Sequence, residues 1–243
     1  MALQLRKLHP HYGVEILGVD VAKPVDDAVF AEIRAALDEH SLLLFRGLDM
    51  TDDRQIAFSE RFGPLLKATS NNPSGGTPFS RQSNLDMKTG EFIPAADKRM
   101  RYQKANELFH SDGSYRVVPA LCSLLSGRVI PPEAGATEFT TMRGAWDALS
   151  AKKQASLEGL IAEHSLFHSR SQVDPTVMND EQKNETPPVR QAVVRANPAN
   201  GRKTLFVGAH ASHIVGWSVD EGRRLIADLM ALCAEPQFVY SHP

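Results

Sequence analysis

The sequence predicts a mainly β fold with packing helices, a closed or sandwiched β architecture rather than a doubly wound parallel sheet. Short runs rich in β-branched and apolar residues recur between Gly, Pro and Asn turn signals from Tyr12 to Tyr240. Helical spacing is confined to stretches that precede these runs or fall between them. The chain contains neither G-x-G-x-x-G nor a P-loop, which argues against nucleotide-binding α/β folds.

Taken in order, Tyr12 to Val21 alternates as a strand, and Asp26 to Glu39 places Val29, Phe30, Ile33, Ala36 and Leu37 at helical spacing. Leu42 to Phe45 reads as a short strand closed by Arg46-Gly47. A helix capped by Thr51 then runs to the Gly63-Pro64 stop. Residues 66–104 turn to Ser, Asn, Pro and Gly; they read as a lid-like loop, with disorder as the alternative. Ala120 to Ile130 reads as a buried strand, Pro131-Pro132 to Gly135 as a turn and Thr137 to Thr141 as a strand. Ala145 to Glu163 is helical with a break at Leu149-Ser150, the second helix covering Gln154 to Ile161. Residues 170–190 are polar and carry a Pro pair, which marks an exposed insertion. Two strand-like runs, Gln191 to Ala196 and Lys203 to Val207, flank the hairpin signal N-P-A-N-G. A helix capped by Ser218 follows to Cys233, and Phe238 to Tyr240 begins one more strand.

With 243 residues, 42% of them hydrophobic and 23% charged, the chain suffices for one domain with a sizeable core, taken as residues 1–243. A formal net charge of -2 offers no general attraction to phosphate backbones or anionic lipid, so neither nucleic acid nor membrane is expected as a partner. The absence of a leader or a long apolar stretch sets a cytoplasmic expectation. Cys122 and Cys233 lie far apart in apolar segments and read as reduced, inert thiols.

The chemistry concentrates in F-H-S-D-G-S-Y, Phe109 to Tyr115. In an extended segment His110 and Asp112 project from one face. An imidazole and a carboxylate so placed are two thirds of the facial triad that holds non-haem Fe(II) and leaves positions open for O2 and substrate. The alternative is a His and an Asp hydrogen-bonded at a strand end.

The chain resembles the taurine dioxygenase and 2,4-dichlorophenoxyacetate dioxygenase family of Fe(II)- and 2-oxoglutarate-dependent enzymes, most closely its phenoxyacetate branch. The resemblance is carried by S-L-L-L-F-R-G (41–47), Q-I-A-F-S-E-R-F-G-P-L (55–65), F-H-S-D-G-S-Y (109–115), V-I-P-P-E-A-G-A-T-E-F (129–139), G-R-K-T-L-F-V-G-A-H-A-S-H (201–213) and E-P-Q-F-V-Y (235–240). It implies a double-stranded β-helix, or jelly roll, with His110 and Asp112 as metal ligands, Fe(II) and 2-oxoglutarate as cofactors and Thr137 at a 2-oxoglutarate carboxylate. The implied reaction consumes O2, converts 2-oxoglutarate to succinate and CO2 and hydroxylates a small anionic, aryloxyacetate-like substrate. Asn106 matches a family position near substrate and metal. His210 and His213, in G-A-H-A-S-H, are implied substrate contacts, and Lys67 is a further candidate anchor for the anion. A homo-oligomer is compatible with all of this.

Three departures stand out. Phe109 replaces the family's usual Trp, and Ala134 and Ala136 replace a Gly and an Asp in the turn before Thr137. The family's distal metal His and its 2-oxoglutarate Arg belong to a W-D-N-R…H…R segment that does not occur in residues 1–243, and His242 lies too early to match. The expectation is accordingly a chain without the closing strands, poorly soluble or inactive alone. Two other readings stay open: a catalytically incomplete homologue that binds metal or anion weakly, and a metal enzyme that recruits His210 or His213 as third ligand.

Overall fold

The computed structural model describes residues 2–243 except 71, 73, 75, 87, 88, 132 and 134. Two layers of structure build the amino-terminal part. Strands β1 (Gln4–Lys7) and β2 (Val14–Leu17) pair antiparallel, and β3 (Leu43–Leu44) joins β2 in parallel. Helix α1 (Asp27–His40) covers this sheet and ends at Ser41, whose φ of 65° turns the chain into β3. Helix α2 (Asp52–Glu60) starts where Thr51 accepts a hydrogen bond from the Arg54 amide, the cap read from the sequence. Phe30, Phe45, Phe58 and Phe62 meet edge to face between the layers, the arrangement that aromatic quadrupoles favour. Strand β1 escapes sequence reading because all four of its residues are exposed. Backbone pairing to β2 and the Arg6–Glu15 ion pair hold it, rather than a buried face.

The span 66–104 is not wholly a loop, for it ends in α3 (Lys98–Lys104), capped by Asp97 and followed by a 3-10 turn at Ala105–Glu107. Beyond the site segment come β4 (Thr137–Thr140), α4 (Met142–Ala148), α5 (Ala151–Leu157), β5 (Ile161–His164), α6 (Leu166–Ser171) and α7 (Asp180–Glu185). Strands β6 (Val189–Ala192), β7 (Val194–Ala196), β8 (Lys203–Leu205) and β9 (Ala211–Ile214) follow, then α8 (Val219–Cys233) and β10 (Val239–His242). The predicted break at Leu149-Ser150 separates α4 from α5. Residues 161–163, read as the end of a helix, are instead in the central strand of the β6-β5-β9 sheet, which buries one face through Ala162 and His164. The N-P-A-N-G signal joins β7 to β8 as an antiparallel hairpin, and β10 pairs with β4, His242 opposite Thr137.

The main core lies where α8 crosses β9: Leu157, Ala162, Val193, Leu205, Ile214 and Leu229 are buried together with Cys233. Cys122, by contrast, is only partly buried. The amino-terminal turn is tied to the other end of the chain by the Tyr12 hydroxyl, which donates to the Phe139 carbonyl at 2.6 Å and accepts from the Tyr240 amide at 3.1 Å. Burial pushes the Tyr12 hydroxyl up to about 12.

Two further expectations are corrected. Residues 120–130 form no strand; Leu121, Leu125, Val129 and Ile130 are exposed, and no described strand pairs with the segment. An apolar run alone signals burial only where a neighbour exists to cover it. Residues 170–190 are not simply an exposed insertion, because Arg170, Val177 and Met178 are buried there and α7 is included. Pro132 and Ala134, in the predicted turn before β4, lie outside the described residues. No helix among the described residues is long and apolar enough to cross a membrane.

A pH dependence follows from His164 at the end of β5. It is 1% exposed and stacks on Phe206 with ring centroids 5.6 Å apart. Burial, aided by the Arg195 charge, lowers its pKa to about 4. The folded pKa lies below the unfolded value, so stability is full above about pH 6.5 and is lost as pH falls toward 4. Replacing His164 by Phe is expected to remove about 2 kcal/mol of the stability difference between pH 7 and pH 5. Urea unfolding of both proteins at the two pH values measures it; equal pH slopes would contradict the assignment.

Candidate active site

The segment Phe109 to Tyr115 is irregular rather than extended: a turn begins at Asp112, and Gly113 takes φ 68°. His110 and Asp112 nevertheless converge, with His110 Nε2 and Asp112 Oδ1 3.3 Å apart. Each group is held from behind. The Nδ1 of His110 lies 2.7 Å from the Leu108 carbonyl, which can only accept, so Nδ1 carries the proton and Nε2 offers its lone pair. Ser123 Oγ donates to Asp112 Oδ2 at 2.7 Å, leaving Oδ1 to face the imidazole.

Two acceptor atoms at this separation require a proton or a cation between them. Burial opposes protonation of His110, but the Asp112 carboxylate and the Leu108 carbonyl outweigh it and raise the pKa. The His110 contact in turn holds Asp112 down at about 2. Two ligands at ~2.1 Å from one ion, at about a right angle, stand about 3 Å apart, so the observed spacing also fits adjacent positions on a metal. An imidazole and a hard carboxylate suit Fe(II) or Mn(II).

Backbone contact fixes the site from the other side. The Ala209 amide donates to the Phe109 carbonyl at 2.9 Å, and a Cβ added at Gly208 would stand 3.1 Å from the His110 Cα. The glycine is what lets the 208–210 strand entry lie against the segment. His210 is buried beside it, its ring 5.5 Å from that of His110 and 4.9 Å from that of Tyr115, with Nδ1 3.1 Å from Ser114 Oγ. Burial, reinforced by the charges of His110 and Arg170, keeps His210 neutral, its pKa well below the ordinary value.

The remaining predicted residues are distributed unevenly. Asn106 sits in the 3-10 turn leading to His110, donates to Gln82 Oε1 at 2.7 Å and accepts from Arg170 Nη1 at 2.7 Å. Thr137 opens β4 and is partly buried; among the described residues it bonds neither His110 nor Asp112. Lys67 lines a shallow surface depression with Ser70, Arg116 and Glu185, while Leu66 before it touches the Gly113 turn. His213 is engaged with Ser212 at 2.9 Å and stands 3.9 Å from Glu163. No three His, Cys, Asp or Glu side chains are gathered to hold a metal among the described residues, so neither His210 nor His213 completes the pair as a third ligand. Sequence reasoning missed Ser123, Gly208 and Arg170. Only Gly208 left a signal, a glycine directly ahead of A-H-A-S-H.

Residues 4–243 match the family described as "Taurine catabolism dioxygenase TauD, TfdA family". The alpha-ketoglutarate-dependent 2,4-dichlorophenoxyacetate dioxygenase of Cupriavidus pinatubonensis is 37% identical over 100% of this chain and 86% of that protein. The (S)-phenoxypropionate/alpha-ketoglutarate-dioxygenase of Sphingobium herbicidovorans is 32% identical over 99% and 83%. The crystal structure of AAD-2 in complex with Mn(II) and N-oxalylglycine superposes with a TM-score of 0.92 at 37% identity, covering 100% of this chain and 86% of that one. With the family model matched over residues 4–243 and relatives 37% identical over the whole chain, the chain belongs to the TauD/TfdA dioxygenase family, of mixed strands and helices in a jelly-roll fold.

Proposed function

We propose that this chain is an Fe(II)- and 2-oxoglutarate-dependent dioxygenase that hydroxylates a small anionic, aryloxyacetate-like substrate, with His110 and Asp112 as two of the metal ligands. The observation that carries the reading is the 3.3 Å approach of His110 Nε2 to Asp112 Oδ1 with both outer atoms already bonded, in a chain of this family. When bound, Fe(II) and 2-oxoglutarate supply the oxidising chemistry: O2 is divided between succinate and the hydroxylated substrate, and CO2 is released.

The chain's residues hold and enclose. Leu108 fixes the His110 tautomer and Ser123 aims the Asp112 carboxylate, which keeps one face of the pair free for cosubstrate and O2. Neutral His210 and the Tyr115 ring form a water-poor wall beside His110. In this reading Asn106 and His210 contact the substrate, Thr137 meets a carboxylate of 2-oxoglutarate, and Lys67, on the surface beside Arg116, draws the anion toward the site before it is bound. His213, bonded to Ser212 through Nδ1, is a further candidate contact. Hydroxylation of the carbon beside an ether oxygen gives a hemiacetal that collapses to a phenol and glyoxylate. A single cytoplasmic domain, acting on a small molecule without nucleic acid or membrane, completes the proposal; a homo-oligomer remains compatible with it.

The test is anaerobic addition of Fe(II) and then 2-oxoglutarate to residues 1–243 and to a chain extended by the W-D-N-R…H…R segment that the resemblance implies, followed by aerobic incubation with phenoxyacetate. A visible charge-transfer band is expected in the extended chain, then phenol, glyoxylate and succinate in equal amounts. Absence of the band from the extended chain would overturn the metal-site assignment. Succinate without phenol would overturn the substrate class alone.

A further inference from the structure

Arg170, in α6, is the only buried arginine or lysine among the described residues, at 8% exposure. Its Nη1 donates to Asn106 Oδ1 at 2.7 Å and to the Tyr102 carbonyl at 3.3 Å, and its guanidinium carbon lies 4.3 Å from the centroid of the Tyr102 ring. No carboxylate pairs with it among the described residues, and its enclosed Nε has no hydrogen-bond partner. A buried cation without an anion is costly, and buried charges in folded proteins are ordinarily paired. The groups that do face Arg170, an amide oxygen, a carbonyl and an aromatic ring, are neutral.

Its position is specific. Asn106 lies four residues before His110 in the turn that delivers it. Tyr115 packs in the same apolar cluster as Tyr102 and the Leu166–Phe167 pair of α6, and it touches His210, which touches His110. We propose that Arg170 receives the anionic head of the substrate beside Asn106, the carboxylate meeting the Nη2 and Nε edge of its guanidinium side-on once its entry displaces the groups that enclose Nε. That edge has the fork spacing that matches a carboxylate, while Nη1 on the opposite edge is occupied by protein acceptors. Arg170 is thereby the residue that selects anions over neutral compounds of the same shape. The assignment rests on the reading of the His110–Asp112 pair as the site of a dioxygenase for a small anionic substrate.

Calorimetric titration of the whole chain, with Mn(II) and N-oxalylglycine present, tests it with two anions and their neutral counterparts. The pairs are phenoxyacetate against 2-phenoxyethanol and hexyl sulfate against hexanol, each measured on the unaltered chain and on Arg170→Met. The unaltered chain is expected to prefer at least one anion by about 100-fold, a preference that falls to within about 3-fold in Arg170→Met, the scale set by loss of a desolvated charge partner. Arg170→Lys, which keeps the charge but loses the fork, should fall between. General damage to the fold weakens anion and neutral ligand alike and leaves their ratio intact. A ratio retained in Arg170→Met, no anion preference in the unaltered chain, or a loss confined to N-oxalylglycine would each overturn the assignment. Collapse of the ratio for hexyl sulfate alone, with phenoxyacetate unbound, would uphold Arg170 as the anion receptor and refute the aryloxyacetate reading.

Discussion

Replacing His110 by Ala, or Asp112 by Ala, is expected to lower Fe(II) affinity by at least about 100-fold, because loss even of an outer hydrogen bond to a metal ligand typically costs 10–100-fold. The two substitutions act on one unit. With His110 removed, Asp112 loses the contact that holds its carboxyl down at about 2; with Asp112 removed, His110 keeps its neutral lone pair but no anion shares the ion. Asp112→Asn is the sharper variant, since it keeps shape and the Ser123 contact while removing the charge. It should lose nearly as much affinity as Asp112→Ala. Binding must also weaken in acid, because a proton and the metal compete for the same pair of atoms. Anaerobic titration monitored by calorimetry measures all three; variants that bind within about 3-fold of the unaltered chain would remove His110 and Asp112 from the site.

Gly222→Ala is expected to destabilise the fold by about 3 kcal/mol, against a helix propensity that favours Ala by up to about 1 kcal/mol. The sign is decided by one contact. A Cβ at position 222 would stand 2.4 Å from the Ile214 backbone nitrogen, a rigid atom of β9 that cannot rotate away as a side chain could. Helix α8 must therefore withdraw from β9, opening the densest part of the core. For a chain of this size the melting temperature should drop by roughly 6–12 °C. Circular dichroism at rising temperature checks it, and an unchanged or higher melting point would contradict so close a packing. Because β9 continues from the Gly208 to His210 segment that abuts His110, the variant should also weaken metal binding even at temperatures where it stays folded.

How much of this was legible beforehand depended on the kind of information each feature carries. Helices α1, α2 and α8 could be placed from apolar spacing and from Thr51 and Ser218 as caps, because these signals are local. His110 and Asp112 were legible as a pair, yet their convergence arises in a turn rather than on the face of a strand. Residues 120–130 misled because apolar content records what a segment can bury, not whether another element reaches it. Residues 161–164 misled because a four-residue strand with one buried face is too short to establish its period against a preceding helix. Arg170 and Ser123 could not be anticipated, since their roles come from partners 64 and 11 residues distant.

The Tyr12 hydroxyl joins Phe139 to Tyr240 across separations of 127 and 228 residues. Contacts so remote in sequence impose a large loop-closure cost before they return anything, which places them late in folding. Strand β4, with Thr137 at its head, is thus locked only when the segments around Tyr12 and Tyr240 have met. On the ribosome, the amino-terminal sheet and its aromatic layer can form while this joint must wait for synthesis to pass Tyr240. This order of assembly makes the strand that Thr137 opens rigid later than the amino-terminal sheet.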